Sequence, residues 1–549
     1  MNTLNTYNGA LNILKAVCCG KKTNDLKAEF GIGYMRQQEI LKRFDAKTGV
    51  SEMLNAEWLP AEFPEAALKE ARQAARKAIT SEELKTRTDL RDELIFTIDS
   101  ASTCDIDDAI SVNRTSFGYE LGVHIADVSR FVPMGGTVDS EARARGTSVY
   151  CPDRDLPMLP TVLSKGACSL TPGSDRLTFS CLMEIDSDGN LKGSRFVKSI
   201  IKSKVKGVYD EINALFKGTA SDTVTEKYSK VLPSLQIIRE LYEKLSSQRA
   251  QRDTITFDGN ELRFVLDARG RCVGVFPKER GLGERIIEEF MLLANRSAAE
   301  FAETHELPFL YRVHPSPTAD SVERLNRIFE HESLALMLGG IAVRARELAY
   351  LIEKANETSK ATLVRKTVQS CLEKAFYSEE NSGHFALGLS HYSQFTSPIR
   401  RYPDLVIHRI LGDFLGGMTK DELCEKYTEY VAEAAKHSTE RERLAARLQT
   451  KAEAKYRTEY TRTARGREFR GTIERITPDG FIVKLENSLT GKVETKNLGT
   501  AKWKAFESTE IQSETGNKYT IGDSVHAKVK SVNIFMGQTE LELTKHTAS

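Results

Sequence analysis

The chain has 549 residues, 40% hydrophobic and 28% charged, with a formal net charge of +1. That length implies roughly two to four domains. No run approaches the ~20 apolar residues that cross a bilayer, and the N-terminus lacks the pattern of a signal peptide, so a cytoplasmic location and no membrane partner are expected. The nine cysteines contain no CxxC pair and no regular spacing, which argues against zinc-finger and disulfide-scaffold classes. Near-neutral charge does not exclude nucleic acid, because basic residues concentrate between Arg441 and Arg470 and a basic channel can coexist with acidic metal ligands.

In chain order, 1–58 reads as a helical N-terminal region. ALNILKAV and MRQQEILKRF carry apolar positions three and four apart, with Gly31 and Gly33 between them, and form either a packing hairpin or a helix-turn-helix-like unit. Residues 59–90 read as a linker, broken at Pro60 and Pro64, and an alanine-rich amphipathic helix. From 91 to 460 strands come first: ELIFTID, YELGVHIADVSRFV, RLTFSCLMEID and GSRFVKSIIKSKVKGV, with SFGYE as a hairpin connection. Helices follow from Ile286 to about Thr461. Segregated strands and helices predict an α+β domain rather than a doubly wound sheet. From 465 to 546, FRGTIERITPDGFIVKLE, LTGKVETKNL and YTIGDSVHAKVKSVNIFMGQTELEL give about five strands with glycine turns, the rhythm of a small OB-type barrel. KWKAFESTEIQSETGN is a longer polar insertion between its strands.

Two constellations carry chemistry. TIDSASTCDIDDAI places Asp99, Asp105, Asp107 and Asp108 in one short segment after a strand. Unit charges about 4 Å apart repel by roughly 4 kcal/mol at an effective dielectric near 20. The segment is therefore either a solvated acidic turn or a cation site. Oxygen ligands without histidine favour magnesium or manganese over zinc, and no glycine or distal glutamate marks a calcium loop. Cys104, inside the cluster, has no histidine base nearby in sequence and reads as a bystander. The second constellation is HYSQFTSPIRRYPDLVIHRIL. Here Ser397-Pro398 opens a turn and a helix begins at Ile399, interrupted by Pro403. Arg400 and Arg401 near its start could clamp a phosphate, or simply form surface ion pairs. Asp404 and His408 read as residues that orient their neighbours.

With both constellations in view, the chain resembles the RNase II/RNase R (RNB) family of 3′→5′ exoribonucleases. The resemblance runs from about Phe96 to Thr450 through IDSASTCDIDDAI, VHIADVS, SVYCPDRDLPMLP, RIIEEFMLLANRSAA, YRVHPSP and HYSQFTSPIRRYPDLVIHR, in that order. It implies an α+β catalytic domain followed by an S1-type OB barrel. The implied activity is magnesium-dependent, processive 3′→5′ hydrolysis of single-stranded RNA to nucleoside 5′-monophosphates, with Mn2+ a possible substitute and a monomer expected. A catalytically weak RNA-binding regulator is the alternative.

The resemblance further makes Asp99, Asp105, Asp107 and Asp108 the metal carboxylates, Asp108 being the one most tied to cleavage. It makes Arg400 the contact to the reacting phosphate, with Arg401 a further RNA contact. Tyr150 and Phe257 match the aromatics at the two ends of a base stack, and Tyr209 and Glu288 a pair that reads the ribose 2′-hydroxyl, with Glu289 a rival to Glu288. In the barrel, Phe481 and Phe469 are candidate stacking residues. Relatives usually begin with two cold-shock barrels; the segment before Pro60 is too short for them.

Overall fold

The computed structural model describes residues 12–13, 16–17, 23–30, 44–57, 62–255, 261–334, 338, 343–356 and 358–545. The expected N-terminal hairpin lies largely outside these residues, as do Phe257 and Pro60. Within them, Asp45 caps the helix Ala46–Ala56 by accepting the Thr48 amide at 2.8 Å. The alanine-rich segment forms the helix Glu65–Arg76, which buries Ala67, Ala71 and Ala74 at helical spacing. Its Glu70 accepts the Thr137 amide at 2.7 Å, placing a negative charge at the N-terminus of the helix Thr137–Arg145.

Eleven strands organise the first half of the chain: β1 (Thr88–Leu90), β2 (Thr97–Asp99), β3 (Asp108–Thr115), β4 (Gly118–Ala126), β5 (Val149–Cys151), β6 (Arg154–Leu156), β7 (Asp175–Asp186), β8 (Leu191–Lys202), β9 (Lys206–Val208), β10 (Leu262–Leu266) and β11 (Cys272–Pro277). The main sheet has the order β1-β8-β7-β4-β3. It is antiparallel except where β1 joins β8. β4 and β7 are buried along most of their length, as expected of central strands covered on both faces. SFGYE is the β3–β4 turn, with Thr115 opposite Gly118. Outside this sheet, β2 pairs in parallel with β9, Asp99 opposite Val208. The ribbon thus delivers Asp99 and the following Tyr209 to the same end.

Helices dominate afterwards, as an α+β plan requires, with one short ribbon of β12 (Tyr311–Val313) and β13 (Phe376–Ser378). The helix Leu282–Thr304 begins against the helix Tyr209–Lys217. Asn213 accepts the Gly283 amide at 2.8 Å and donates to Glu284 at 2.9 Å. The helix Tyr402–Leu415 begins with Pro403 in its first turn. The proline therefore opens the helix rather than interrupting it, since the first turn has no use for its missing N–H.

The helix Lys420–Thr461 has 42 residues, about 63 Å at 1.5 Å per residue. It starts at a Thr419–Glu422 capping box and packs successively on the Tyr402–Leu415 helix, the β5–β6 hairpin, the Ala46–Ala56 helix, the β10–β11 hairpin and the C-terminal barrel. Near its end, buried Glu459 accepts the Ala46 amide at 3.2 Å and the Cys272 amide at 2.8 Å.

The barrel is closed by β14 (Glu468–Thr477), β15 (Gly480–Leu485), β16 (Thr490–Glu494), β21 (Gln538–Lys545) and β20 (Ser524–Asn533). Ile473, Phe481, Val483, Val493, Val525 and Leu541 fill it. The polar insertion is not a loop. It forms a three-stranded sheet of β17 (Trp503–Phe506), β18 (Glu510–Ser513) and β19 (Lys518–Thr520), with Trp503 stacked on Tyr519. This sheet docks on the helix Ala319–His331: Glu507 pairs with Arg324 at 2.8 Å and Arg327 at 3.1 Å, Glu510 with His331 at 2.9 Å, and His331 stacks on Phe506.

Glu459 joins three segments through two charged hydrogen bonds, each worth about 1.5–3 kcal/mol. Glu459→Ala should therefore destabilise the fold by about 2 kcal/mol or more, with Glu459→Gln intermediate because it keeps one acceptor. Urea unfolding followed by circular dichroism checks this; an unchanged midpoint for the alanine variant would refute it.

Candidate active site

The aspartate segment is held from several sides. Asp99 ends β2, and its carboxylate accepts the Ser100 amide at 2.6 Å and the Thr103 hydroxyl at 2.9 Å. Lys206 donates to the Ala101 and Thr103 carbonyls at 3.2 and 2.7 Å. Ser169 donates to the Cys104 carbonyl at 2.8 Å and accepts the Ile106 amide at 3.1 Å. Ile106 is buried beneath the loop, so the acidic side chains at 105 and 107–108 ride on an apolar anchor. Asp108 is the first residue of β3, opposite Ile125.

The arginine loop meets this segment directly. Asp107 accepts the Ile399 amide at 2.8 Å, and its other oxygen lies 3.8 Å from Arg400 Nε. The Arg400 carbonyl accepts the Ser148 amide at 2.9 Å and the Thr147 hydroxyl at 3.0 Å, while the Tyr402 amide donates to the Gly146 carbonyl at 2.9 Å. The backbone of the Arg400 loop is thus stitched to the strand that carries Tyr150. Gly146 sits at the hinge of this junction with φ +71°, and a Cβ there would stand 2.5 Å from Arg441 Cβ of the long helix, so only glycine fits.

A cavity of about 640 Å³ results. Asp99, Asp105, Asp107 and Asp108 line one side with Arg400, and Tyr150, Tyr209 and Glu288 line the rest. Arg400 keeps its guanidinium partly exposed, bonded to Ser397 Oγ at 3.0 Å. Tyr150 is 36% exposed. Glu288 lies 3.3 Å from Arg280 and 3.7 Å from Arg249. Glu289 turns away from the cavity and is buried between Arg249, at 3.0 Å, and Arg252, at 3.9 Å. Of the two neighbours, Glu288 is the one that faces the cavity.

Two expected contacts have further partners. Arg401 lines the cavity beside Arg400, with its Nε and one terminal nitrogen held by buried Asp404 at 3.0 and 2.6 Å. Asp404 also accepts the Ser397 amide at 2.7 Å, so the pair braces the loop that presents Arg400. Phe481 is fully buried in the barrel, 4.9 Å from the Tyr519 ring, because strand alternation sends it inward with Val483 and Leu485. Phe469 is half-buried against the same core. His408 donates from Nε2 to the Phe395 carbonyl, 2.8 Å away, and takes no place in the cavity.

Sequence reasoning passed over Asn295, which lines the cavity and accepts the Phe395 amide at 2.7 Å. Two helical turns beyond Glu288, it shares that residue's face, which was a readable signal. Lys165, Asp155 and Lys278 also line the cavity.

The electrostatics point to a cation. Burial pushes Asp107 well above the usual carboxylate range, against the opposing effects of Arg400 and the Ile399 amide. Burial, reinforced by the charge of Asp99, pushes Asp108 up to about 7. Burial also raises Asp99, with Asp105 adding repulsion. Arg400 alone does not compensate these groups, and their donor atoms are all hard oxygens, which fits magnesium. Among the described residues the one trio of candidate ligand atoms within 4.8 Å of one another lies elsewhere, at His331, Glu332 and Glu510. The aspartates are spread more widely. That spacing suits an ion that keeps several waters and binds through one or two carboxylates plus substrate phosphates.

The chain is similar to known proteins over most of its length. The RNB domain matches residues 87–417. "Ribonuclease R 1" of Lactococcus lactis is 35% identical over 91% of the chain, and the chain spans 61% of that relative's length. "Ribonuclease R" of Thermotoga maritima is 36% identical over 88% of the chain and 69% of its own length. The structure of apo Mycoplasma genitalium RNase R superposes with a TM-score of 0.84 at 26% identity, covering 91% of this chain and 78% of the other. That relative has also been solved with ribose methylated single-stranded RNA and with double-stranded RNA. With the domain match spanning more than half of the chain, this protein belongs to the RNB-domain family.

Proposed function

We propose that this chain is a magnesium-dependent, processive 3′→5′ exoribonuclease that hydrolyses single-stranded RNA to nucleoside 5′-monophosphates. The observation that carries the reading is the single cavity that combines four aspartates, a partly exposed Arg400, an exposed face of Tyr150 and the Tyr209–Glu288 pair. Structures of the Mycoplasma relative with RNA support the substrate class. The closed C-terminal barrel is read as an S1-type RNA-binding domain, and the chain as a monomer.

Asp99, Asp105, Asp107 and Asp108 would hold the magnesium. Bound there, it would polarise a phosphoryl oxygen and lower the pKa of coordinated water. The protein's own groups do the rest. Arg400 offers a planar fork of N–H donors to the non-bridging oxygens of the terminal phosphodiester, where charge builds in the transition state. Its loop is tied to Asp107 through the Ile399 amide, which fixes the distance between phosphate clamp and carboxylates. Tyr150 stacks the terminal base without regard to sequence. Because its strand is hydrogen-bonded to the Arg400 loop, stack and clamp keep a constant offset from one cycle to the next. Glu288 accepts the ribose 2′-hydroxyl and Tyr209 donates to it, contacts that DNA cannot supply.

Asp108→Asn removes a ligand charge while leaving the cavity's shape. It should lower hydrolysis by about a thousandfold or more, in line with loss of a group acting in the transition state, while RNA is still bound. Incubation of 5′-labelled and 3′-labelled single-stranded RNA with magnesium checks direction and product; internal fragments would sink the reading in favour of an endonuclease, and no cleavage by the parent protein would leave an RNA-binding regulator in its place.

Glu288→Ala should narrow the preference for RNA over an oligonucleotide with 2′-deoxyriboses at its 3′ end. A hydrogen-bonded polar site rejects a substrate that lacks the partner group by large factors, and removing the acceptor should cut that ratio by about tenfold or more. Relative kcat/KM on the two substrates measures it; an unchanged ratio would show that Glu288 does not read the ribose.

A further inference from the structure

The β10–β11 hairpin has two faces with opposite characters. Leu262, Phe264, Leu266, Cys272 and Val275 pack inward against the long helix, the Ala46–Ala56 helix and the β5–β6 hairpin. The outward face carries Glu261, Arg263 and Val265 on one strand and Phe276 and Lys278 on the other. The register fixes this: Arg263 stands opposite Phe276 and Val265 opposite Gly274. The Lys278 amide extends the ladder by donating to the Glu261 carbonyl at 2.8 Å. Side chains two residues apart share a face and stand about 7 Å apart. Lys278 therefore shares a face with Phe276, and Lys278 lines the catalytic cavity.

Phe276 is 47% exposed, an unusual state for a phenylalanine within a strand. Its ring lies over Gly274, where a Cβ would stand 2.7 Å from Phe276 Cε2. The glycine leaves room for the ring to lie against the sheet while about half of its surface stays exposed. The Arg263 guanidinium is 5.7 Å from the ring centroid, and no carboxylate within 4 Å of it appears among the described residues. Lys278 is paired with Glu261 at 3.0 Å, so Arg263 supplies the unopposed positive charge of the strip.

From this strip we infer that the outward face of the β10–β11 hairpin is an RNA track leading out of the cavity. One base of the upstream single strand stacks on Phe276, and the adjoining phosphate is met by Arg263. The occupant is single-stranded RNA because the face is continuous with the cavity rim through Lys278, and because a half-exposed aromatic ring beside an arginine with no ion pair among the described residues is the pairing that binds such strands without sequence preference. The inference rests on the exoribonuclease reading for the polarity of the strand.

The test compares RNA that ends within the cavity with RNA long enough to reach the hairpin, roughly six against roughly fifteen nucleotides given the usual span of a single-strand site. Full-length protein carrying Asp108→Asn, to prevent digestion, is titrated with 5′-fluorescein RNA by anisotropy. The parent should bind the longer RNA more tightly, and adding Phe276→Ala should remove roughly tenfold of that gain, as loss of one stacked base requires. Phe276→Trp should restore it, and Arg263→Gln should make the salt dependence shallower. Equal length dependence with and without Phe276, at matched melting temperatures, overturns the track. Failure of the unsubstituted enzyme to release mononucleotides would instead overturn the catalytic reading, so the two failures are distinguishable.

Discussion

The hydrogen bond from the Ile399 amide to Asp107 joins segments 292 residues apart, and the arrangement of the site depends on it. A buried carboxylate without a partner is costly. Asp107 offsets that cost with one backbone amide and a nearby guanidinium, and in doing so fixes the loop of Arg400 against the strand of aspartates. The same loop is bonded on its far side to the segment leading to Tyr150. The proposed cation site, phosphate clamp and base stack thus share one hydrogen-bonded frame, and none of their side chains depends on a free loop for its position.

The second level of support is the long helix. Its successive faces carry the β5–β6 hairpin, the N-terminal helix, the β10–β11 hairpin and the barrel. Because the two hairpins and the Ala46–Ala56 helix share one apolar cluster with this helix, the strand that presents Tyr150 and the hairpin that presents Phe276 are parts of the same packed unit. The cavity is lined by the loop between β2 and β3, the β5–β6 hairpin, the helix Leu282–Thr304 and the loop that carries Arg400.

Much of the site was legible because its chemistry is local. Four aspartates in ten residues need no tertiary information to announce a charge problem, and TSPIRR declares an arginine near a helix start. The Asp99–Tyr209 proximity was not legible, since it depends on a parallel β2–β9 pairing that leaves no pattern in either segment. Arg401 and Phe481 show a different limit. Adjacent arginines look equivalent in sequence and both line the cavity, yet the one that caps the helix is also bonded to Asp404. In FIVKL the polar Lys484 marks the outer face, so alternation already sends Phe481 inward with Val483 and Leu485, a signal the stacking expectation passed over. The docking of the polar insertion was not legible for a further reason. Its partners sit on a helix about 180 residues earlier, and ion pairs at that separation are invisible to local composition.

That insertion has a mechanical consequence. A barrel joined to its neighbour only by the end of a helix could turn on that joint as on a swivel. The sheet Trp503–Thr520 adds a second fastening, through Glu507 and Glu510, on a helix of the other domain. The packing of Phe535 against Lys455, about a turn and a half before the end of the long helix, adds a third contact. The barrel is therefore fastened at three places on two different helices, which resists the turning that a single joint would allow.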